Sequence, residues 1–402
     1  MTQPSQRRWG VVGLGRAFSL MLPTFIADPR VKVCGAADPR AEARAQFEAD
    51  FAAPAYESVD ELCADKTIEV VYVASPHQMH AAHVISAASH GKHVLVEKPM
   101  ALSLADCTRM IEAAAAAGVQ LIVGHSHAFD APIARARALL DTEAFGAVRM
   151  IHAFYYTDFL YRPRRPEEIR TDEGGGAVWN QAAHQVDIVR VLAGGRAAQV
   201  RALTGNWDAA RDTEGAYSAL LTFDEGAFAS LTYNGYGYFD ADEFCDWVGE
   251  LGTRKHSGVY GIARRGLASA SGAAAELALK AARNYGGASH RPAARAEADE
   301  LSHQHFGTFI VSCDRADLRP LPRGVMIYDE AGARLDTLPP PIVPRVEVID
   351  AVERAITTGV PARHDGRWAR ATLEVCAAML ESARTGRDVV LQQQVTLPAP
   401  AR

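Results

Sequence analysis

Short runs of apolar residues alternate with stretches of helical periodicity over the first 125 residues of the chain. Five runs are apolar at successive positions, as the strands of a parallel sheet covered on both faces require. The stretch at 101–117 has helical periodicity and ends at Gly118, a usual stop for a helix. This rhythm predicts a doubly wound α/β domain of the Rossmann type. Its predicted parallel strands are RWGVV, VKVCGAAD, EVVYVAS, HVLVEK and QLIVGH.

The pattern changes after residue 128, where strands that alternate apolar and polar positions follow one another. This order predicts an α+β domain at 129–402 with an open-faced, mainly antiparallel sheet and helices on one face, after an α/β domain at 1–128. An Ala-, Arg- and Gly-rich stretch predicts a helical insertion or mobile excursion within about 255–305. Helices are predicted at 132–140 and 177–192, and strands at 148–156, 199–204, 215–223, 227–234 and 244–250.

Charge and composition narrow the range of functions. A formal net charge of −6 provides no basic field for nucleic acid or an acidic membrane. No apolar run approaches the length of a membrane span, and MTQPSQRRWGVV lacks the apolar stretch of a signal peptide. The six cysteines are scattered without CxxC spacing, which predicts free thiols in a reducing cytoplasm and no metal site.

A glycine-rich turn follows the first predicted strand and opens a helix. Gly13 allows the tight turn, and Gly15 lets the backbone approach a pyrophosphate at the positive end of the helix. Arg16 adds a positive charge for phosphate. Phe18 stands where the usual fingerprint has its third glycine, a position that serves helix–strand packing. The turn therefore predicts a dinucleotide site.

Asp38 ends the second predicted strand, where a carboxylate accepts hydrogen bonds from ribose hydroxyls and repels a 2′-phosphate. This favours NAD over NADP. Arg40 nearby leaves NADP open, because a guanidinium tolerates the additional phosphate.

Glu97, Lys98 and Pro99 follow the strand HVLV. Since the carboxyl ends of parallel strands face the ligand crevice, we expect Lys98 to polarise the reacting carbon–oxygen bond or to take its proton. Glu97 is expected to orient this lysine.

Three glycines at 174–176 open a helix that carries Asn180, His184 and Asp187 on nearly one face. An imidazole is well matched to proton transfer near neutral pH, which makes His184 a candidate acid or base. A structural histidine is the alternative.

A basic loop contains Arg162, Arg164, Arg165 and Arg170. Guanidinium groups match carboxylates, so Arg162 and Arg164 are candidates for binding an anionic substrate. A solvated loop neutralised by nearby glutamates is equally compatible with the sequence. His125 and His127 follow the fifth predicted strand, where a substrate contact and a structural role are both open.

These segments together resemble the Gfo/Idh/MocA family of oxidoreductases over nearly the whole chain. The resemblance implies NAD(P) binding that involves Ala17, Ser75, His77 and His80, and an open-faced sheet that joins subunits into dimers or tetramers. Many members carry Asp-x-x-x-His on the histidine helix, whereas Asn180 replaces the aspartate here. The catalytic assignment therefore passes to Lys98 and His184. The motifs concerned are SPHQMHAAH, GKHVLVEKP, VGH, GGG before the histidine helix, and TLEVCAAMLESARTGRDVVL.

Four segments are similar to the phthalate dihydrodiol dehydrogenase branch of that family. This similarity implies that NAD takes hydride from a carboxylated cis-dihydrodiol, that a base takes the hydroxyl proton, and that the ring becomes a catechol. The alternatives are a sugar or inositol dehydrogenase, an NAD-binding sensor without turnover, and a lyase whose NAD is only transiently reduced. The segments are GLGRAFSLMLPTF, SPHQMHAAH, YYTDFLYRPRRPEE and YNGYGYFDADEF.

Overall fold

The computed structural model describes residues 6–270, 272–290 and 301–397, which form two compact units. The first unit comprises the described parts of 1–125, 277–295 and 343–370, and the second comprises the rest. Among the described residues, no helix combines the length and apolar character needed to cross a membrane. The helices are α1 (Arg16–Ala27), α2 (Ala41–Phe51), α3 (Val59–Ala64), α4 (His80–Ser89), α5 (Leu104–Ala117), α6 (Ala131–Leu140), α7 (Ala183–Ala193), α8 (Ile262–Ala268), α9 (Ala273–Arg283), α10 (Val346–Thr358) and α11 (Gly366–Thr385).

A parallel sheet of six strands forms the centre of the first unit. The strands are β1 (Arg7–Val12), β2 (Val31–Ala37), β3 (Ala55–Tyr56), β4 (Val70–Val73), β5 (His93–Val96) and β6 (Leu121–Val123). Their order is β3–β2–β1–β4–β5–β6, so the direction of winding reverses between β1 and β4. In such sheets, ligands bind beyond the carboxyl ends of the strands at this reversal. The predicted doubly wound domain is confirmed, with β3 as a short strand that the sequence pattern did not indicate.

Two later segments of the chain, the described part of 277–295 and 343–370, belong to the first unit, and contacts of the second of them show how it packs there. The carbonyl of Pro344 accepts a hydrogen bond of 2.6 Å from the Thr24 hydroxyl. Glu353 on α10 pairs with Arg7 at 3.2 Å. The sequence placed these later residues in the second domain, because helical periodicity does not indicate the sheet on which a helix packs.

The second unit contains a mixed sheet of nine strands. The strands are β7 (Val148–Tyr156), β8 (Ala197–Gly205), β9 (Ala216–Phe223), β10 (Phe228–Asn234), β11 (Thr308–Cys313), β12 (Asp317–Leu321), β13 (Gly324–Asp329), β14 (Gly332–Thr337) and β15 (Val389–Val390). Their order is β14–β13–β12–β11–β7–β10–β9–β8–β15, and β7 pairs with β10 in parallel while the other pairs are antiparallel. The predicted α+β architecture with a mainly antiparallel sheet is confirmed.

The strand predicted at 244–250 is wrong. A 3₁₀ turn occupies Ala241–Cys245, and Asp246 and Trp247 have φ of 57° and 59°. These left-handed conformations interrupt an extended strand. The apolar pattern in this segment instead reflects burial, since Cys245 and Val248 have almost no exposed surface.

The insertion contains the helices α8 and α9, as expected, while residues 291–300 lie outside the described part of the chain. None of the six cysteines, all within the described ranges, forms a disulfide. Five are buried and Cys313 is partly buried.

Candidate active site

The glycine-rich turn connects β1 to α1. Gly13 has a φ of +90°, and a Cβ built there would lie 2.8 Å from the backbone nitrogen of Ser75. A Cβ on Gly15 would meet no atom within 4 Å, so open space faces this glycine. No side chain caps α1, and no acidic residue lies in its first turn, which the structure describes completely. The first-turn amides therefore suit an anion, and the turn fits the pyrophosphate of a dinucleotide.

Phe18 explains how the fold tolerates the missing third glycine. Its ring is fully buried among four other aromatic rings, so only its backbone is available to a cofactor. Arg16 is exposed and Ala17 is half-buried at the start of the same helix. Cofactor contacts of these three residues remain predictions.

Asp38 holds the turn to the end of β2. Its Oδ2 accepts the Leu14 amide at 2.7 Å, and its Oδ1 accepts the Arg40 amide at 2.9 Å. The Arg40 guanidinium contributes two further bonds, of 3.0 and 3.1 Å. Since a carboxylate offers about four lone-pair positions, the chain itself occupies them. A ribose hydroxyl that binds Asp38, as predicted, would share these lone-pair positions with the donors of Leu14 and Arg40.

His80 is a structural link in the first unit. Its Nδ1 lies 3.0 Å from the Pro99 carbonyl oxygen and its Nε2 lies 2.9 Å from that of Ser75. Burial lowers the pKa of this histidine to about 4, although both carbonyls act in the opposite direction. The side chain of His80 has no exposed surface, and its predicted cofactor contact stays a prediction. His77 is half-buried, and the Ser75 hydroxyl lies 2.8 Å from His83 Nδ1, so their contacts remain predictions.

Glu97 and Lys98 lie just beyond β5. The Tyr72 hydroxyl donates to the Glu97 carboxylate at 2.6 Å, and the His125 backbone amide also donates to this carboxylate. Burial raises the pKa of Glu97 despite these bonds and the positive charges of Lys98 and Arg345. Glu97 therefore braces the strand end, and Lys98 is half-buried beside it. His125 is buried, and its predicted substrate contact remains untested.

His184 lies at the start of α7 in the second unit, where a π-helical turn over Val178–Ala182 precedes the α-helix. The backbone amide of His127 donates to His184 Nδ1 at 3.4 Å. The centroids of the His127 and His184 rings are 4.8 Å apart, and the centroid of the Phe306 ring lies 4.7 Å from that of His184. A neutral His184 that accepts this bond carries its proton on Nε2.

His127 lies between two carboxylates. Its Nδ1 is 2.7 Å from Asp130 and its Nε2 is 3.7 Å from Glu250. Burial opposes the charged ring, but these two carboxylates outweigh burial and raise the pKa of His127. The pKa of Glu250 lies well below its ordinary value, because Arg162 and His127 outweigh the effect of its burial. No sequence motif indicates Glu250. The His-x-x-Asp spacing is a signal from which Asp130 could have been predicted.

The basic loop is only partly neutralised. Arg162 pairs with Glu250 at 3.1 Å, Arg165 with Glu167 at 2.7 Å, and Arg170 with Glu173 at 3.1 Å. By contrast, no carboxylate of the described residues lies within 4.0 Å of the Arg164 side chain. The expected neutralisation by nearby glutamates therefore applies to Arg165, whereas Arg162 pairs with a residue far along the chain.

Asn180 and Glu214 secure the three-glycine segment. The Asn180 amide donates to the Gly176 carbonyl at 2.8 Å, and the Glu214 carboxylate accepts the Val178 amide at 2.9 Å. Thr171 also donates to Glu214. Asn180 is thus engaged with the backbone of its own loop, and its predicted substrate contact remains untested. Sequence reasoning missed Glu214, which lies outside every recognised motif.

Asp187 is buried on α7 and acts electrostatically on Arg190, one turn further on. Burial lowers the pKa of Arg190 to about 10, whereas Asp187 and Glu374 act to raise it. Arg190 donates to the Thr372 hydroxyl at 2.7 Å. These contacts give Asp187 a part in packing α7, and a substrate contact for it remains a prediction.

Family descriptions match both parts of the chain. The description "Oxidoreductase family, NAD-binding Rossmann fold" of GFO_IDH_MocA matches residues 7–125. The description "GFO/IDH/MocA C-terminal domain" matches residues 133–254.

Two characterised relatives act on cyclic diols by name. The 1-carboxy-3-chloro-3,4-dihydroxycyclohexa-1,5-diene dehydrogenase of Comamonas testosteroni is 46% identical over 380 residues, which cover 94% of this chain and 95% of the relative. The trans-1,2-dihydrobenzene-1,2-diol dehydrogenase of Xenopus laevis is 31% identical over 191 residues, which cover 47% and 57%.

Solved structures show the same fold. A protein of Bordetella bronchiseptica RB50, assigned as a dehydrogenase, has a TM-score of 0.89 at 40% identity over 96% of this chain and 100% of its own. The WlbA dehydrogenase of Bordetella pertussis, solved with NADH and UDP-GlcNAcA, has a TM-score of 0.66 at 21% identity over 96% and 99%. The second likeness concerns the fold alone.

Proposed function

Because this chain belongs to the Gfo/Idh/MocA family of NAD-binding oxidoreductases, we propose that it oxidises a carboxylated cis-dihydrodiol to a catechol. The Comamonas testosteroni relative, which spans almost the whole chain, is named for a carboxylated dihydroxycyclohexadiene. Loss of two hydrogens from such a ring gives an aromatic product, which makes the oxidation favourable.

The observation that carries the substrate assignment is the state of Arg164. Its guanidinium is held over the Phe159 ring at 3.8 Å and donates to the Phe159 carbonyl at 2.9 Å, with no carboxylate of the described residues within 4.0 Å of the side chain. A guanidinium without an ion pair can bind a substrate carboxylate without first separating from a carboxylate of the protein. A neutral sugar has no such need.

Contacts within the second unit connect Arg162 to the candidate histidine, and Arg162 and Arg164 share the Phe159 ring, with their Cζ atoms 5.5 and 3.8 Å from its centroid. Arg162 pairs with Glu250, and Glu250 lies beside His127. The backbone of His127 in turn holds His184. The carboxylate-binding and proton-handling residues of this unit thus form one connected group, in which Arg162 is the second candidate for the substrate carboxylate.

We assign different roles to the two proton-handling residues. NAD, when bound, accepts hydride from the ring carbon that bears the reacting hydroxyl. His184 holds a proton on Nε2 while its Nδ1 accepts the His127 amide, so it donates a hydrogen bond to a substrate oxygen. Removal of the hydroxyl proton then falls to Lys98, whose position after β5 suits a group facing the crevice.

The substrate proposal is tested by the formation of NADH, followed by its absorbance. Three substrates are compared: a carboxylated cis-dihydrodiol, the same diol without its carboxylate, and inositol. We expect kcat/KM for the carboxylated diol to exceed that for the uncharged diol by about tenfold or more, as one charge-assisted bond allows. Preferential oxidation of inositol would identify a polyol dehydrogenase, and NAD binding without turnover of any substrate would favour a sensor.

The exposed face of the nine-stranded sheet supports a homodimer or homotetramer. Met150, Leu220, Phe228 and Ile310 lie on this face and are 37 to 47% exposed. Large apolar patches of this kind usually mark a contact surface. The absence of disulfides is compatible with a reducing cytoplasm, where we place the enzyme.

Light scattering with size-exclusion chromatography tests the assembly. We expect Leu220→Lys to dissociate the oligomer, while Ile342→Lys leaves it intact because Ile342 is exposed outside the strands. Equal masses for the wild type and both variants would contradict an interface on the sheet.

A further inference from the structure

The part of the inserted segment that belongs to the first unit packs on the dinucleotide fingerprint of that unit. Tyr285, which follows α9, packs its ring edge-on against Phe18, with ring centroids 5.0 Å apart and planes at 80°. Phe18 is the residue that replaces the third glycine of the fingerprint. The ring of Tyr285 thus completes the aromatic cluster around this replacement.

Two further contacts fix this segment on α2. The Tyr285 hydroxyl donates to Asp50 at 2.5 Å. Gly286 has a φ of +74°, and a Cβ built on it would lie 2.8 Å from the Cα of Ala43. The segment is therefore seated on the helix too closely to admit even one additional methyl group without movement.

The backbone of the same segment reaches the predicted adenosine end of the site. The Tyr285 carbonyl accepts a hydrogen bond of 3.4 Å from the Arg40 guanidinium. The remaining contacts of this guanidinium are with the Leu14 carbonyl at 2.8 Å and with both carboxylate oxygens of Asp38. Acceptors of the chain thus surround the side chain that would otherwise meet a 2′-phosphate.

We propose that the segment around Tyr285 and Gly286 sets the preference for NAD over NADP, because it holds the Arg40 guanidinium on the Asp38 carboxylate. A 2′-phosphate is accommodated when a nearby arginine is available to pair with it, whereas an aspartate repels it. Because Arg40 stays bonded to Asp38 and to the Tyr285 carbonyl, it is not available to pair with a 2′-phosphate. Repulsion between Asp38 and that phosphate then favours NAD over NADP. This inference goes beyond the proposed substrate, since it concerns the opposite end of the cofactor.

Direct binding of NADH and NADPH, measured by fluorescence titration, tests the proposal without any substrate. We expect Tyr285→Ala to lower the ratio of the NADPH Kd to the NADH Kd by about tenfold or more, the scale of one charge-assisted hydrogen bond. Tyr285→Phe keeps the ring on Phe18 and should retain most of the wild-type ratio.

A second variant serves if Tyr285→Ala does not fold. Gly286→Ala should displace the same segment and lower the same ratio. Its matched control is Gly258→Ala, which has the same φ of +74° but no atom within 4 Å of the added Cβ. An unchanged ratio in folded Gly286→Ala, or in folded Tyr285→Ala, would overturn the proposal, because both displace the segment said to hold Arg40.

Discussion

The guanidinium of Arg164 lies over the ring of Phe159, with its Cζ 3.8 Å from the ring centroid. Arg164 also donates a hydrogen bond to the Phe159 carbonyl, so Phe159 supplies both an aromatic face and a hydrogen-bond acceptor. Burial and the neighbouring charge of Arg162 lower the pKa of Arg164 to about 10, with Glu168 acting in the opposite direction. The guanidinium therefore remains charged at neutral pH and is held in place for an anion.

Removal of the aromatic face should weaken substrate binding. We expect Phe159→Leu to raise KM for a carboxylated substrate by about 5- to 30-fold, because a desolvated cation–π contact contributes roughly 1–2 kcal/mol. The value of kcat should change little, since Phe159 handles no proton. Steady-state kinetics check this expectation, and a loss confined to kcat would contradict the positioning role.

The side chain at 184 should distinguish a hydrogen-bond donor from a general base. Glutamine retains an N–H donor near the position of Nε2, whereas alanine does not. We expect His184→Ala to lower kcat by about 10²–10⁴ and His184→Gln to retain considerably more activity. NADH binding should be unchanged in both variants. Equal inactivation by the two substitutions would favour His184 as the proton acceptor.

The ion pair between His127 and Asp130 should make stability depend on pH. Asp130 and Glu250 raise the pKa of His127 above its ordinary value of 6.5, against the effect of burial. A raised pKa contributes stability that is fully present below 6.5 and is lost as the pH rises through the folded-state pKa. Asp130→Asn should remove this contribution.

The difference in the free energy of unfolding between the wild type and Asp130→Asn should therefore shrink as the pH rises above 6.5 and through the folded-state pKa of His127. Urea denaturation at several pH values measures it, and groups that titrate alike in both proteins cancel. A difference that stays constant or grows with pH would contradict a charged His127.

Gly176 should be irreplaceable for both steric and conformational reasons. Its φ is +85°, and an added Cβ would collide with the carboxylate of Glu214. We expect Gly176→Ala to lower the free energy of unfolding by about 2–3 kcal/mol or more. Gly118→Ala is the control, because its φ of +66° is also positive but no atom lies within 4 Å of the added Cβ. It should cost only about 1 kcal/mol, and equal losses would contradict the contact with Glu214.

The sequence predicted those helices and strands in which apolar residues recur with a single helical or strand period. The strand at 148–156 coincides with β7, and the fingerprint turn lies between β1 and α1. The prediction was wrong at 244–250, where residues are buried but do not pair in the sheet. It also missed β11–β14, of which β11, β12 and β13 have one exposed residue each and only β14 is mainly exposed. The period of apolar residues indicates which positions are buried. It does not indicate which strand, far along the chain, a segment pairs with.

The candidate site could be predicted where a residue belongs to a local motif. His184 and the arginine loop were indicated in this way, whereas Glu250 and Tyr285 reach Arg162 and Phe18 from distant parts of the chain. His80 matches a motif, and both of its ring nitrogens lie beside backbone carbonyls, so its cofactor contact stays a prediction. A motif identifies the residue type at a position but does not reveal which of its atoms the fold already uses.

A cycle of two proteins and two substrates measures whether Arg164 binds the substrate carboxylate. The kcat/KM of the wild type and of Arg164→Gln is measured with a carboxylated cis-dihydrodiol and with the same diol lacking the carboxylate. Arg165→Gln serves as a control, because Arg165 already pairs with Glu167.

We expect Arg164→Gln to lose about 10- to 100-fold with the carboxylated diol and almost nothing with the uncharged one. The control should keep the preference of the wild type. Equal losses of Arg164→Gln on both substrates, or an undiminished preference for the carboxylated diol, would show that Arg164 does not bind the substrate carboxylate.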